Sequence, residues 1–172
     1  SKTMALNRQL QEVEELLDMP LYPTVEQLLR AHDSQDAYRW FVHHSKVFRD
    51  VDLITSKKLI DRYRCIPKHC YQNCFHADIT GEHYYYEGYV IAKESPYIAM
   101  AHSWLVKKDN YQVIDVTLPT VNHSGAAYIG VEIPRDIVNK LAFKLEVTGD
   151  FLYHVYAEQN IKAHTSIGGR QR

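Results

Sequence analysis

Two strand-like runs flank Asp109 and Asn110 in the stretch AMAHSWLVKKDNYQVIDVTL, residues 99–118. Both runs combine apolar, aromatic and β-branched side chains, a composition that favours strands. Aspartate and asparagine tolerate the backbone angles of a tight turn and are typical of the connection in a hairpin. The stretch therefore predicts two antiparallel strands joined by a two-residue turn.

The register of this hairpin brings an imidazole and a carboxylate together. A two-residue turn would set Trp104 opposite Asp115, and His102 opposite Thr117. Because successive side chains of a strand point to opposite faces, all four would share one face of the sheet. His102 and Asp115 would then be diagonal neighbours within side-chain reach. We therefore expect Asp115 to orient the His102 ring.

Further strands are predicted on both sides of the hairpin. The runs rich in aromatic and β-branched residues are YYYEGYVIA (84–92), AAYIGVEI (126–133) and KLAFKLEVTG (140–149). The first part of the chain instead has apolar residues at three- and four-residue steps, which is typical of amphipathic helices. We predict helices over about 6–19, from Thr24 onward, over 35–48 and 52–64, and a short one with Cys70 in its first turn.

Helices followed by strands indicate an α+β fold. A chain of 172 residues is long enough for one domain with a sizeable core. We expect that domain to span residues 1–164, with N-terminal helices over about 5–80 packed on an antiparallel sheet over about 84–157. The tail, residues 165–172, contains two glycines and two arginines and is expected to be disordered.

Composition excludes several classes of protein. Hydrophobic residues make up 45% and charged residues 24%, values that exclude a collagen-like, coiled-coil or wholly disordered chain. The net charge of −1 provides no overall positive field to hold nucleic acid or an anionic membrane. No run approaches the roughly 18 apolar residues of a membrane span, and the first residues lack an apolar signal segment. We therefore expect a cytoplasmic protein.

Three cysteines, Cys65, Cys70 and Cys74, fall within ten residues. An odd number in a chain of this size favours free thiols over disulfides. The first turn of a helix, next to an imidazolium, stabilises the thiolate that acts as a nucleophile. Cys70 occupies that position, whereas Cys74 lies one turn deeper and Cys65 ends the preceding helix. Cys70 is therefore the predicted nucleophile.

A metal site is the alternative interpretation of the same segment. Thiolates and imidazoles suit zinc, and the candidate ligands are Cys65, His69, Cys70, Cys74 and His76. Structural zinc sites usually offer two short paired groups of ligands. Here four and three residues separate the thiols, and no second cysteine pair follows. We therefore expect no metal and no cofactor.

The motifs HCYQNC, YYYEGY, AHSWLV, VIDVTL and AYIGVEI follow one another along the chain. In this order they resemble motifs of transglutaminase-like proteins of the papain-like superfamily, in particular its small bacterial and bacteriophage members. The resemblance covers about residues 67–133. It implies a papain-like fold and a Cys–His–Asp triad with Cys70 as nucleophile, His102 as base and Asp115 as orienting acid.

The donors of an oxyanion hole are not assigned by this resemblance. Papain has a glutamine six residues before its cysteine that helps to form the oxyanion hole, but Arg64 occupies that position here. The alternatives are the backbone amide of Cys70 and the side chains of Gln72 and Asn73. Asn73, one turn from Cys70, is also suited to holding its helix by local hydrogen bonds.

Two residues of the predicted strands are further candidates. Glu87 is a carboxylate in an otherwise apolar strand, so it either contacts substrate near the cleft or lies on the solvated face. Trp104 is expected to pack over the pair formed by His102 and Asp115 and to exclude water from it.

The expected function is attack by a cysteine on an amide or ester carbonyl of a protein or peptide, through a thioester intermediate. Water as the acceptor would make a peptidase or a protein deamidase, and an amine would make a transglutaminase or acyltransferase. Hydrolysis is favoured because it needs only water. The alternative is a papain-like interaction module without activity, for example a phage protein that binds a host factor.

Overall fold

The structure is a computed structural model that describes residue 37 and residues 39–92, 98–118 and 127–159. These residues form an α+β fold with a five-stranded antiparallel sheet. The predicted helices over 6–19 and from Thr24, and the tail 165–172, lie outside the described residues.

The order of the elements gives the sheet its topology. Along the chain they are α1 (39–44), β1 (Lys46–Phe48), α2 (Leu53–Tyr63), α3 (Cys70–Ala77), β2 (Tyr84–Ala92), β3 (Ile98–Val106), β4 (Val113–Ile114), β5 (Ala127–Glu132), α4 (Arg135–Leu145) and α5 (152–159). The strands lie in the order β1-β5-β2-β3-β4, and each pairs antiparallel with its neighbours. The helices predicted at 52–64 and from Cys70, and the strand predicted at 84–92, are confirmed.

The strand predicted over 140–149 is wrong, because α4 covers Arg135–Leu145. The helix begins after Pro134, with Asp136 in its first turn and Lys144 in its last, an arrangement that complements the helix dipole. Its buried residues, Val138 and Leu141, are three positions apart, a helical spacing. A window that begins at residue 140 contains only half of this pattern.

The boundary between helices and sheet also differs from the prediction. The helix expected over 35–48 ends at 44 within the described residues, and β1 follows it inside the predicted helical layer. The expected sheet over 84–157 includes α4 and α5, which are helical. The first strand of the sheet, β1, therefore lies in the segment predicted to be helical, and the last part of the segment predicted to be sheet forms α4 and α5.

The hairpin between β3 and β4 has the predicted register and a longer turn. Leu105 pairs with Ile114, and Val106 pairs with Val113. The Lys107 amide donates to the Gln112 carbonyl at 2.9 Å, so the loop contains four residues instead of two. Like the predicted turn, the loop is centred on Asp109 and Asn110, so both strands are shorter than predicted by the same number of residues. The facing pairs are therefore unchanged.

The segment that follows β1 reaches β4 at the opposite edge of the sheet. Val51, which follows β1, forms a parallel bridge with Val113 of β4. The Asp52 amide donates to the Val113 carbonyl, and the Val113 amide donates to the Asp50 carbonyl, each at 2.8 Å. The curled sheet consequently has an inner face and an outer face.

Each face has its own apolar core. The inner core consists of Phe48, Tyr86, Val90, Trp104, Val106, Val113 and Tyr128, all buried. On the outer face, α3, α4 and the start of α5 pack over Tyr85, Leu105 and Ile114, while α1 packs over Tyr89 and Ile129. Strands with two buried faces read as near-continuous apolar runs, as in the motif YYYEGYVIA.

We expect Gly130→Ala to destabilise the inner core. A Cβ at this position would lie 2.6 Å from the Glu87 carbonyl oxygen and 2.6 Å from the Trp104 ring. Overpacking of this kind should lower the free energy of unfolding by about 1–3 kcal/mol, measured by urea denaturation. Lys46→Ala, at the exposed register partner of Gly130, is the control. An unchanged midpoint for Gly130→Ala would contradict the packing described.

Candidate active site

Three segments supply the predicted triad. Cys70 is the first residue of α3, with His69 at the N-cap position. His102 lies in the middle of β3, paired with Gly88 of β2. Asp115 follows β4 directly, so it lies just beyond the ladder and not within a strand as predicted.

The His102 ring and the Asp115 carboxylate are in contact, as the hairpin register predicted. The distance from His102 Nε2 to Asp115 Oδ2 is 2.8 Å, and the two residues are 2% and 0% exposed. An imidazole held through one nitrogen has a fixed orientation and tautomer. The carboxylate thus leaves Nδ1 as the ring nitrogen available to a second partner.

The Asp115 carboxylate receives three further hydrogen bonds. The Tyr128 hydroxyl donates to Oδ2 at 2.8 Å, and the amides of Thr117 and Leu118 donate to Oδ1 at 2.9 Å and 2.8 Å. The amide of Asp115 itself donates to Ser56 Oγ at 3.0 Å. A charge can be buried when all its hydrogen-bonding sites are used in this way.

These contacts shift the pKa values of the pair in opposite directions. Burial alone would raise the pKa of Asp115, but the charge and hydrogen bond of His102, with the backbone amides, lower it. Burial alone would lower the pKa of His102, but the charge and hydrogen bond of Asp115, with the Cys70 interaction, raise it to about 9. The pair is therefore an imidazolium and a carboxylate at neutral pH.

The Cys70 thiol is the second partner of the imidazole. Burial alone would raise the pKa of this half-buried thiol, but the hydrogen bond to His102 and its positive charge lower it from its usual value. Because Asp115 occupies Nε2, Nδ1 is the ring nitrogen left to interact with the thiol. The start of α3 adds a positive helix dipole at the same thiol. Cys70 consequently has the environment of a reactive thiolate.

The other two cysteines have the opposite environment. Burial raises the pKa of Cys74 well above its usual value, and its sulfur accepts a hydrogen bond from the Ser103 hydroxyl at 3.6 Å. Burial also raises the pKa of Cys65. Of the three thiols, Cys70 is thus the one whose surroundings favour the charged form.

Asn73 connects the cysteine helix to the segment that follows Asp115. Its amide group exchanges two hydrogen bonds with the backbone of Ile66, at 3.0 Å and 2.8 Å, and donates to Thr117 Oγ1 at 2.9 Å. These bonds confirm its expected role in holding the helix, and they occupy the groups that an oxyanion would need.

The start of α3 provides the remaining candidates for an oxyanion hole. The helix has no side-chain cap, so the amides of its first turn, including that of Cys70, are not bound by a capping side chain. Gln72 is exposed in the same turn. The Cys70 amide is the donor fixed closest to the thiol.

Glu87 lies in neither of the two expected places. It is 1% exposed, and its carboxylate accepts hydrogen bonds from the amides of Asp150, Phe151 and Leu152 at 3.1, 2.6 and 3.2 Å. The Tyr85 hydroxyl donates a fourth, at 2.5 Å. The expectation of a substrate contact or a solvated face is wrong, because this carboxylate anchors the start of α5.

Trp104 covers the imidazole from the inner core. The two rings are nearly parallel, with centroids 6.1 Å apart, and Trp104 is fully buried. Tyr128 also lies against both rings, at 6.2 Å from His102 and 5.2 Å from Trp104. The expected packing of Trp104 is confirmed for the imidazole, and the exclusion of water from the pair stays a prediction.

Sequence reasoning missed Ser56, Ser103 and Tyr128, which contact the triad or its neighbours. Tyr128 is a strand tyrosine like many others in this chain, and its bond to Asp115 depends on the order of the strands. Ser56 lies in α2, and its contact depends on how that helix packs against the end of β4. Of these three residues, only Ser103 could have been suspected from the sequence, because it follows His102 directly.

No metal centre or membrane span emerges from the residues described. In that part of the chain, no three His, Cys, Asp or Glu side chains are grouped as metal ligands. None of its helices is both long and apolar enough to cross a bilayer. Comparisons with family models, curated proteins and solved structures find no match.

We expect Ser56→Ala to weaken the support of Asp115. The variant removes the acceptor of the buried Asp115 amide, and an unsatisfied buried donor costs about 1–3 kcal/mol in free energy of unfolding. Denaturant unfolding measures the loss. Lys57→Ala, at the adjacent exposed position of α2, is the control for helix propensity. Equal stability of the two variants would show that Ser56 does not support Asp115.

We expect Cys70 to react with iodoacetamide at lower pH than Cys65. Alkylation requires the thiolate, and His102 lowers the pKa of Cys70 while burial raises that of Cys65. Site-resolved mass spectrometry between about pH 4 and 9 measures both rates. In His102→Ala, burial acts on Cys70 without its partner, so the pH of half-maximal reactivity should rise. Reactivity of Cys70 that never exceeds that of Cys65 would rule out the ion pair.

Proposed function

We propose that this protein is a papain-like cysteine enzyme that attacks an amide or ester carbonyl of a protein or peptide and forms a thioester. The observation that carries the proposal is the buried 2.8 Å contact between His102 and Asp115, beside a half-buried Cys70 thiol whose pKa the imidazolium lowers. A structural histidine needs one partner, whereas this ring links a buried carboxylate to a half-buried thiol.

Each group has a defined part in the proposed reaction. The Cys70 thiolate attacks the carbonyl carbon, and the oxyanion forms beside the amides at the start of α3. His102 then donates its proton to the leaving amine or alcohol, which departs and leaves a thioester on Cys70. Asp115 keeps the ring oriented and stabilises its charged form.

The second half of the reaction regenerates the thiol. His102 removes a proton from water, which attacks the thioester and releases the carboxylic acid. With water as acceptor the enzyme is a peptidase or a protein deamidase, and we favour this outcome because it requires no second binding site. An amine as the acceptor would instead make it a transglutaminase or acyltransferase.

We expect p-nitrophenyl acetate to acetylate Cys70. Intact-protein and peptide mass spectrometry should locate one acetyl group on this residue. Cys70→Ala should carry none, and Cys65→Ala, which keeps the triad, should be acetylated like the wild type. In Asp115→Asn the rate should fall by about a hundredfold or more, since oriented acid–base catalysis contributes at least that factor.

The same experiment can contradict the proposal. Acetylation spread over lysines and all three thiols, unaffected by Asp115→Asn, would show that Cys70 has no special reactivity. That result would favour the interaction module over the enzyme. If acetylation at Cys70 is specific, adding methylamine and measuring acetyl-methylamine against acetate decides between amine transfer and hydrolysis.

A further inference from the structure

An aromatic pocket lies on the outer face of the sheet, beside the candidate active site. Its cavity volume is about 80 Å³. The aromatic side chains that line it come from α1, α3, β2 and α5, and they are Trp40, Phe41, Tyr71, Tyr89, Tyr153 and Tyr156. Nothing in the reaction proposed above uses this pocket.

The pocket adjoins the triad at three points. Tyr71 follows Cys70 in α3, and Ala101 precedes His102 in β3; both line the pocket. Gly88, a third lining residue, is the register partner of His102. A chain whose carbonyl lies at Cys70 can therefore place a neighbouring side chain in the pocket.

Among the described residues, the lining has one charged residue, the exposed Asp150, and contains no lysine, arginine or histidine. The face of an aromatic ring is the negative region of its quadrupole and attracts cations. Burial, and after it the charge of Asp150, raise the pKa of Tyr89 to about 12, so this ring stays a neutral phenol. Apolar walls with one carboxylate suit a side chain that has a methylene stem and a positive end.

The backbone at Asp150 is held by a hydrogen bond and by the packing of the glycine before it. Asp150 adopts φ 67°, a left-handed conformation that aspartate tolerates better than most residues. Its amide donates to the anchored Glu87 carboxylate at 3.1 Å. Beside it, Tyr71 packs directly on Gly149, where a Cβ would overlap the tyrosine side chain. The backbone of Asp150 is therefore held next to Tyr71, the residue that follows Cys70, and Asp150 itself is exposed to solvent.

We propose that the aromatic pocket binds a lysine or arginine side chain of the polypeptide substrate, adjacent to the carbonyl that Cys70 attacks. The inference rests on the proposed function and names its substrate class. Asp150 pairs with the positive end of the side chain, and the aromatic walls contact its stem. Glu87 is a positioning residue, since it holds the turn that carries Asp150.

The test uses two matched reagents for Cys70. They are the acyloxymethyl ketones of acetyl-lysine and acetyl-norleucine, which differ in the ammonium group and share an apolar chain. Iodoacetamide, which has no side chain for the pocket, is the third reagent. Labelling rates at Cys70 are measured by mass spectrometry on the full chain at neutral pH.

We expect the lysine reagent to label Cys70 about tenfold faster than the norleucine reagent, as charge pairing and cation–π contacts predict. In Asp150→Asn, which keeps a side chain suited to the left-handed backbone, this preference should fall to about twofold or less. Asp109→Asn, in the exposed hairpin loop, makes the same change in net charge and should keep the preference.

The three labelling rates distinguish failure of the pocket proposal from failure of the proposed function. Fast alkylation by iodoacetamide combined with equal or faster labelling by the norleucine reagent would overturn the pocket proposal and leave the proposed function standing. A lysine preference that persists in Asp150→Asn would also overturn it. Slow labelling of Cys70 by all three reagents would overturn the proposed function, and the pocket proposal with it.

Discussion

The hydrogen bonds of the buried Asp115 carboxylate connect distant parts of the chain. They join β3 through His102, β5 through Tyr128 and the segment after β4 through its own amides. The Asp115 amide adds α2 through Ser56. A carboxylate without exposure to solvent is tolerated only if these partners are all in place. The position of the imidazole therefore depends on the correct assembly of the sheet.

A second buried carboxylate acts on the outer face. Glu87 pairs in register with Ser103, the neighbour of His102, and it accepts the amides at the start of α5. Asp115 thus fixes the imidazole, and Glu87 fixes the helix that forms a wall of the aromatic pocket. Both acids act by accepting hydrogen bonds. Glu87 is paired with Ser103, one residue from His102, and Asp115 directly follows β4, which pairs with β3.

Contacts within one hairpin or helix could be predicted from the sequence, whereas contacts between distant segments could not. The contact between His102 and Asp115 depends on one hairpin, so the centre of the turn and the alternation of side chains were sufficient to predict it, although the loop is longer than predicted. The helix start at Cys70 was predictable for the same reason. The tyrosine and serine that support Asp115 come from β5 and α2, and no local pattern specifies which residues those elements bring to it.

Glu87 was misplaced because both faces of β2 are covered, so a polar residue there must find internal partners. The strand predicted at 140–149 failed because its window cut an amphipathic helix in two.

The parallel bridge between Val51 and Val113 has a consequence for folding and solubility. The two outer strands of an open sheet expose unpaired amides and carbonyls that can pair with other chains. Here the segment after β1 pairs with Val113 of β4, so this edge has its hydrogen bonds within the chain. The contact joins residues far apart in sequence, and closing such a loop costs entropy before it is rewarded. Any intermediate that forms the central hairpin before β1 docks would expose the β4 edge, and this short first segment then acts as the chain's own protection against aggregation.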